Sequence, residues 1–300
     1  MENAWASRVG EEIEPLTWEE CVDLLCSSGG DETIYRGHGC FEWRLASTIE
    51  RALLCHAKRW DDRKHGLMMS MGHDSETEAW SSDAEDRMTK CFRDNALRLG
   101  ETKLPELSDH VGWWELMQHH GAPTRLLDWT RSPFIAVWFA IDSHKDDCGD
   151  MALWICDRGN LELNQARARS KLKSEQDYDR LDERQRLNRF VRIAAADGNP
   201  VLVPFEPRLF PRAVAQQSVL TVSPSIDVAR DADWWLREQL ATRIRLRAEW
   251  KAEMLETCRR EGLTRPSLFR DLDSLGAYVK ETFIGGADLA DEILQDDSHP

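Results

Sequence analysis

Apolar positions in this chain recur at helical spacing in some stretches, alternate or run together in others, and are separated by short polar breaks. Trp18, Cys21, Val22, Leu24 and Leu25 form a helical stripe behind Thr17 and Glu20, whose spacing is that of a capping box. After the break at Ser28-Gly29-Gly30, Thr33 to Gly37 (TIYRG) predicts a strand with an arginine near its end. Phe41 to Leu45 alternates apolar and polar positions, and Ser47 with Glu50 predicts a second capped helix from Thr48. Gly66 to Glu78 is polar and irregular, a surface loop or lid, and Ser82 with Glu85 predicts a third helix through Leu99. Asp109 then caps a helix that carries Trp113 and Trp114.

Gln118 to Ala140, read as QHHGAPTRLLDWTRSPFIAVWFA, packs three kinds of local structure together. Gly121 suits the left-handed position that ends a helix. Pro123 holds its predecessor extended, and Thr124 to Trp129 predicts a short buried strand. Ser132-Pro133 starts a helix, serine as N-cap and proline in the first turn. Phe134 to Ile141 is apolar almost all round, so that helix is expected to be buried.

Further on, Met151 to Cys156 predicts a buried strand, forming a strand-helix-strand unit with the helix before it. Val201 to Phe205 and Val219 to Val222 predict two more strands, and Trp234-Trp235 a short helix. Thr242 to Leu246 alternates apolar positions with arginines, as a half-exposed or edge strand does. Glu249 to Glu261 predicts an amphipathic helix ended by Gly262, and a last helix lies within Leu268 to Phe283. Short strands separated by helices without regular alternation predict an α+β fold, a core of short mixed strands surrounded by helices. The expected organisation is a helical segment over 1–30 packed on a domain spanning 31–284, followed by an acidic tail over 285–300.

Composition narrows the function classes. The chain has 300 residues, 41% hydrophobic and 31% charged, the balance of a folded globular protein. A net charge of -15 opposes non-specific attachment to a nucleic-acid backbone. The exception is Arg158 to Arg192, with ten Lys and Arg against six acids, which reads as a solvated helical face or as a phosphate-facing insert that binds nucleic acid. Eight scattered cysteines without a C-x-x-C pair predict reduced thiols and a cytoplasmic setting. The start shows no signal-peptide pattern, and the longest apolar run, Phe134 to Ile141, is too short to span a bilayer.

Several familiar chemistries find no support. There is no Walker A motif, no G-x-G-x-x-G, no G-x-S-x-G and no metal-ligand spacing, His119 and His120 being adjacent. What remains is a set of arginines, amides and hydroxyls at strand ends: Arg36, Arg125, Asp128, Thr130, Arg212, Gln216, Gln217 and Ser218. Arginines paired with carboxylates at the ends of buried strands can be purely structural; several such ends together favour an anionic, hydroxyl-rich ligand such as a nucleotide, since guanidinium forks suit phosphates and amides and hydroxyls suit ribose. Arg51 lies in a first helical turn, where the helix dipole disfavours it; an acidic partner and an anionic ligand are equally open.

Tyr35-Arg36-Gly37, the run Trp43, Leu45, Ile49, Arg51, the central stretch above, PRAVAQQSVLTVSP and SLFRDLDSLGAYV together resemble the FRG domain from about Thr33 to Phe283. The order of pieces is also similar to an ADP-ribosyltransferase of the Arg-Ser-Glu type. Tyr35-Arg36-Gly37 resembles its first motif, Asp128 and Thr130 stand where its second has serines, and Gln216-Gln217-Ser218 resembles its third, with Gln216 and Ser218 in the place of glutamates.

The resemblance implies a split-sheet core and NAD as substrate, with no metal. It implies Arg36, Asp128, Thr130 and Gln216 as catalytic candidates. Tyr35, Gly37, Arg51, His119, His120, Arg125, Arg212, Gln217 and Ser218 are implied as ligand-binding candidates. The expected function is ADP-ribosyl transfer to a macromolecule, by a toxin or antiphage defence effector that an antitoxin or regulatory protein restrains. NAD glycohydrolysis, a non-catalytic nucleotide- or RNA-binding module, and a partner-recruiting role for the acidic tail are the alternatives. The carboxylate missing at Gln216 and Ser218 leaves that role to Asp128, His120, Glu115 or Glu206.

Overall fold

The computed structural model describes residues 8–28, 32–55, 75–101, 103–145, 147–171, 181–194, 203–207, 211–223, 225–226 and 233–284. Its centre is a seven-stranded mixed sheet. The strands in chain order are β1 (Glu12–Ile13), β2 (Thr33–His38), β3 (Leu126–Thr130), β4 (Met151–Asp157), β5 (Val203–Phe205), β6 (Ser218–Val222) and β7 (Thr242–Leu246). Their order across the sheet is β1-β7-β4-β2-β3-β6-β5. Every neighbouring pair is antiparallel except β1 with β7. The helices are α1 (Trp18–Ser28), α2 (residues 48–55), α3 (Ser75–Arg98), α4 (His110–His119), α5 (Pro133–Asp142), α6 (Arg158–Lys171), α7 (Glu183–Ala194), α8 (Pro211–Ala215), α9 (Trp234–Arg237), α10 (Lys251–Arg260), α11 (Arg265–Phe269) and α12 (Leu272–Ile284).

The capping chemistry in the sequence sets these helices. Ser47 and Glu50 exchange a reciprocal box at α2, with the Ser47 amide donating to Glu50 Oε2 at 2.7 Å. Asp109 accepts from the Gly112 amide at α4, and Ser132 from the Ile135 amide at α5, with Pro133 in the first turn. Gly121 has φ +76, the left-handed conformation that closes α4.

Several elements differ from expectation, and the last segment forms two helices, α11 and α12, where one was expected. Helix α3 starts at Ser75 rather than Ser82, absorbing the end of the polar stretch; residues 66–74 of that stretch lie outside the described residues, as do residues 285–300. The short edge strand β1 was not visible in the sequence pattern. Strand β7 is interior, between β1 and β4, so Arg243 is 5% exposed. It is held by Glu12 and Asp233 and lies over the Phe41 and Trp154 rings at 4.2 and 5.2 Å. A paired, stacked guanidinium can occupy an interior position that its alternation with apolar residues makes look exposed.

Strand β4 is buried at all seven positions because both faces of the sheet are covered. Leu153 and Ile155 pack with α1, α5 and α10, while Ala152, Trp154 and Cys156 pack with Phe41, Leu45 and Trp235 on the other face. A third cluster joins α4 and α7 to Leu126, Leu220, Val222, Val203 and Phe205. Burial holds the Cys156 thiol far above its ordinary range, and pushes the thiols of Cys21 and Cys258 up to about 12. All three are inert packing groups.

The β3-α5-β4 unit exists, but its two strands are not neighbours. Strand β2 lies between them, so α5 crosses directly over β2. A Cβ at Gly37 would stand 1.8 Å from the Ala136 carbonyl oxygen and 2.6 Å from the Ala140 nitrogen. The glycine of Tyr35-Arg36-Gly37 is therefore needed for backbone approach between strand and helix. A Cβ at Gly39 would likewise meet the Ser143 carbonyl at 2.2 Å.

Candidate functional site

Strands β2 and β3 share one paired position, Tyr35 with Thr130, whereas β2 and β4 pair at six. Continuing the first register would set Gly37 opposite Asp128, but the strands diverge there. Part of the gap is filled by α2: the Ile49 amide and the Thr48 hydroxyl both donate to the Thr124 carbonyl, at 3.1 and 3.0 Å. Another part is filled by Arg36, whose Nη1 donates to the Asp128 carbonyl at 2.6 Å. A side chain thus replaces a ladder hydrogen bond that the divergence removes.

A cavity of about 400 Å³ opens at this split, within the size range of small-molecule sites. On the face that carries Tyr35 and Thr130, α5 packs against β2 and β4 while α4 packs against the β3 side. Between them Phe139 and Ala136 of α5 and Glu115, Gln118 and His119 of α4 line the cavity. Trp43, Thr48 and Arg51 line it from the segment after β2, and Arg212 and Gln216 from α8 and its end.

Of the candidates read from sequence, Tyr35, Arg36, Gly37, Arg51, His119, Asp128, Thr130, Arg212, Gln216 and Ser218 line this one cavity. Three do not. Arg125 is buried with Glu85, which it contacts through Nε at 2.9 Å to both carboxylate oxygens and through Nη2, and it lies 4.7 Å over the Trp114 ring. Gln217 is exposed in a left-handed turn, φ 46, where its carbonyl accepts from the Arg131 amide. His120 closes α4 and meets His119 and Phe92 by ring contacts. Arg125 is a structural cation for the reason that buried charges require partners.

Within the cavity the arginines differ. Arg36 is mostly buried, and its Nε donates to His38 Nε2 at 3.2 Å. Burial lowers the Arg36 pKa to about 10, against the pull of Asp128 and with the repulsion of Arg51. It remains a full cation at neutral pH. Arg51 is exposed and makes no ion pair among the described residues, so of the two partners open to it the acid is not among them. Arg212 lies 4.4 Å over the Phe269 ring. Partial burial, then His120 and Arg212, lower the His119 pKa, so His119 is neutral beside that cation.

The carboxylates differ as well. Glu115 is held by Arg184 at 2.8 and 3.2 Å, and Asp142 by Arg265. Asp128 has its side chain 63% exposed, and Arg36 stands 3.9 Å from its Oδ2, beyond hydrogen-bond distance. Its Oδ1 accepts from Gln118 Nε2 at 2.6 Å, and Gln118 in turn accepts from the Thr124 hydroxyl. The Gln118 contact fixes the orientation of the Asp128 carboxylate and leaves Oδ2 toward the cavity's cations. Thr130 is buried and its hydroxyl accepts from the Ser132 amide at 3.1 Å, shaping the turn into α5. Gln216 is 9% exposed, and its Nε2 has no hydrogen-bond partner among the described residues. A buried amide without a partner is expensive unless a ligand or water supplies one.

Sequence reading passed over Gln118, His38 and Phe139 as site residues. Gln118 precedes the two histidines that drew attention, and nothing in its spacing distinguishes it. His38 is buried, and its pKa is held well below the ordinary value by burial and by Arg36. The ring is neutral when folded, while the unfolded chain takes up a proton near pH 6.5. Stability present above that pH is therefore lost as pH falls below it, by roughly 1.4 kcal/mol per pH unit. Denaturant titrations between pH 7 and 5 are expected to show this decline, and a smaller one in His38→Gln.

Two arginines of the basic stretch, Arg158 and Arg184, are held by acids within the protein. Arg158 pairs with Glu206 and Glu162, and Arg184 with Asp109 and Glu115; residues 172–180 lie outside the described residues. Among the described residues no helix is long and apolar enough to cross a membrane.

These features define an α+β domain whose sheet splits at its centre around a cationic, amide-lined cavity. The family model for the FRG domain matches residues 31–148, so the chain carries an FRG domain. The match runs from the start of β2 to the turn after α5. It contains the walls built by Arg36 and by Asp128 and Thr130; Arg212, Gln216, Ser218 and the motif-like segments after residue 148 lie outside it. No curated protein and no solved structure matches the chain.

Proposed function

We propose that the cavity at the β2-β3 split binds NAD and that the chain transfers its ADP-ribosyl group to a macromolecular acceptor. One observation carries this reading. Asp128 is a carboxylate without a guanidinium at hydrogen-bond distance among the described residues, in a cavity also lined by Arg36, Arg51 and Arg212. The guanidiniums hold the pyrophosphate. The Gln216 Nε2, which has no hydrogen-bond partner among the described residues, and the hydroxyl of Ser218 receive the ribose hydroxyls of the nicotinamide half.

In the reaction the bond from ribose C1′ to the nicotinamide nitrogen breaks and nicotinamide leaves with the bonding pair. Positive charge grows on the ribose, and the Asp128 carboxylate stabilises it. An acceptor O–H or N–H then bonds to C1′ and releases its proton to Asp128 or to solvent. With water as acceptor the same steps give NAD glycohydrolysis.

Neutral Gln216 and Ser218 favour a second reading, nucleotide binding without turnover, because an amide and a hydroxyl orient ribose but supply no charge. Incubating the full chain with NAD and following free nicotinamide separates the two. The transferase reading expects release that rises with the amount of protein. Saturable NAD binding without release would establish the second reading in its place, and absence of both release and binding would refute the two together.

A further inference from the structure

Trp43 and Arg51 line the cavity at the sheet split and also a second cavity of about 390 Å³ beside it. They are the partition between two adjoining lobes. The second lobe is built on the turn after β2 and the start of α2, with Ala46 and Leu54 as its further apolar lining. Trp43 is half-buried, its ring set edge-on to His38 at 6.3 Å. Two carboxylates border the lobe and they differ. Glu50 is buried and its Oε2 accepts from both the amide and the hydroxyl of Ser47, at 2.7 and 2.8 Å. Glu42 is exposed and makes no hydrogen bond or ion pair among the described residues.

We infer that this second lobe is a purine subsite, so that the two lobes together take a dinucleotide, with its pyrophosphate at the Arg51 junction. The inference rests on the nucleotide reading of the first cavity and extends it. The Trp43 indole, with Ala46, Leu54 and the Arg44 side chain on the same lining and the Lys145 ammonium 5.9 Å from its ring centroid, suits the flat face of a base, which stacks on aromatic side chains largely regardless of sequence. Glu42 lines the lobe as an acceptor for an exocyclic amino group, which favours an amino-bearing purine such as adenine over hypoxanthine. An exposed guanidinium that has no acid partner among the described residues, standing where the lobes meet, is the group that a bridging pyrophosphate needs. The first lobe, with Asp128 and Gln216, is left to the half of the molecule that reacts.

Calorimetry on the full chain tests this with NAD, AMP and nicotinamide mononucleotide. Trp43→Ala is expected to weaken NAD and AMP by about tenfold or more and nicotinamide mononucleotide, whose cavity Trp43 borders at one edge, by a clearly smaller factor, while Trp43→Phe retains most of the affinity. Equal losses for AMP and the mononucleotide, or no loss for either, would overturn the subsite. A measurement on the unaltered protein covers the case in which Trp43→Ala does not fold. AMP and nicotinamide mononucleotide are expected to bind together and each to be displaced by NAD; mutual competition between them would overturn the two-lobed site while leaving the first cavity intact. If the unaltered protein binds none of the three, the nucleotide reading itself fails.

Discussion

Replacing Asp128 by Asn is expected to lower nicotinamide release from NAD by about 10²- to 10⁴-fold while changing the affinity for NAD by no more than a few-fold. The substitution keeps the shape of the side chain and its hydrogen bond from Gln118 Nε2, which is 2.6 Å long in the native protein. It removes the negative charge at Oδ2, the atom that faces Arg36 from 3.9 Å. Glu115 and Asp142 cannot substitute, because Arg184 and Arg265 hold them. A loss confined to the turnover rate, with binding preserved, is what distinguishes stabilisation of the developing ribosyl cation from simple ground-state contact. Loss of binding and turnover in equal measure would move Asp128 from chemistry to ligand placement.

The second large effect concerns stability. Arg125→Met is expected to destabilise the protein by about 3–5 kcal/mol, since it strands the Glu85 carboxylate in the interior. Their side chains are 8% and 2% exposed, and Arg125 also donates to the Ser223 carbonyl at 3.3 Å. Replacing both, as Arg125→Met with Glu85→Leu, is expected to recover most of the loss, because an apolar pair of similar volume removes the unpaired charge. Denaturant melts of the two single variants and the double variant form the cycle that measures the coupling. NAD affinity in the double variant is expected to match the native protein, in keeping with the position of Arg125 outside the cavity. Additive losses in the cycle would contradict the pairing.

Much of the fold is legible in the chain because local chemistry and tertiary packing agree. The capping residues Ser47, Asp109 and Ser132 predict α2, α4 and α5, and the apolar runs predict β3 and β4. Legibility fails where the deciding partner is distant in sequence. Arg243 reads as a surface residue until β1, some 230 positions earlier, supplies Glu12 beside it. Arg125 and Arg36 look alike as arginines at strand ends. Only the position of α3, which brings Glu85 to Arg125, and the divergence of β2 from β3, which leaves Arg36 facing a cavity, tell them apart.

The site shows the same division. Arg36, Asp128, Thr130 and Gln216 come from three separate segments, and the structure brings them to one cavity. The pattern of arginines, amides and hydroxyls at strand ends put them in one set with Arg125 and Gln217, which lie outside the cavity, and the resemblance singled out the four. Gln118 was not selectable, since its role is to orient Asp128 across the turn closed by Gly121. The role of Gly37 was also hidden. A glycine after an arginine in a strand carries no message until α5 is seen to cross it with the Ala136 carbonyl at the space a Cβ would take.

The most direct test is a calorimetric titration of the full chain with NAD, alongside the double variant Arg51→Ala/Arg212→Ala. Both substituted arginines line the cavity, and Arg51 makes no ion pair among the described residues, so its loss strands no carboxylate among them. Charge-assisted hydrogen bonds are worth about 1.5–3 kcal/mol each. The expected result is one saturable site per chain in the native protein and an affinity at least about tenfold weaker in the double variant. An absence of saturable heat with the native protein, or an unchanged affinity in the variant, would contradict the account.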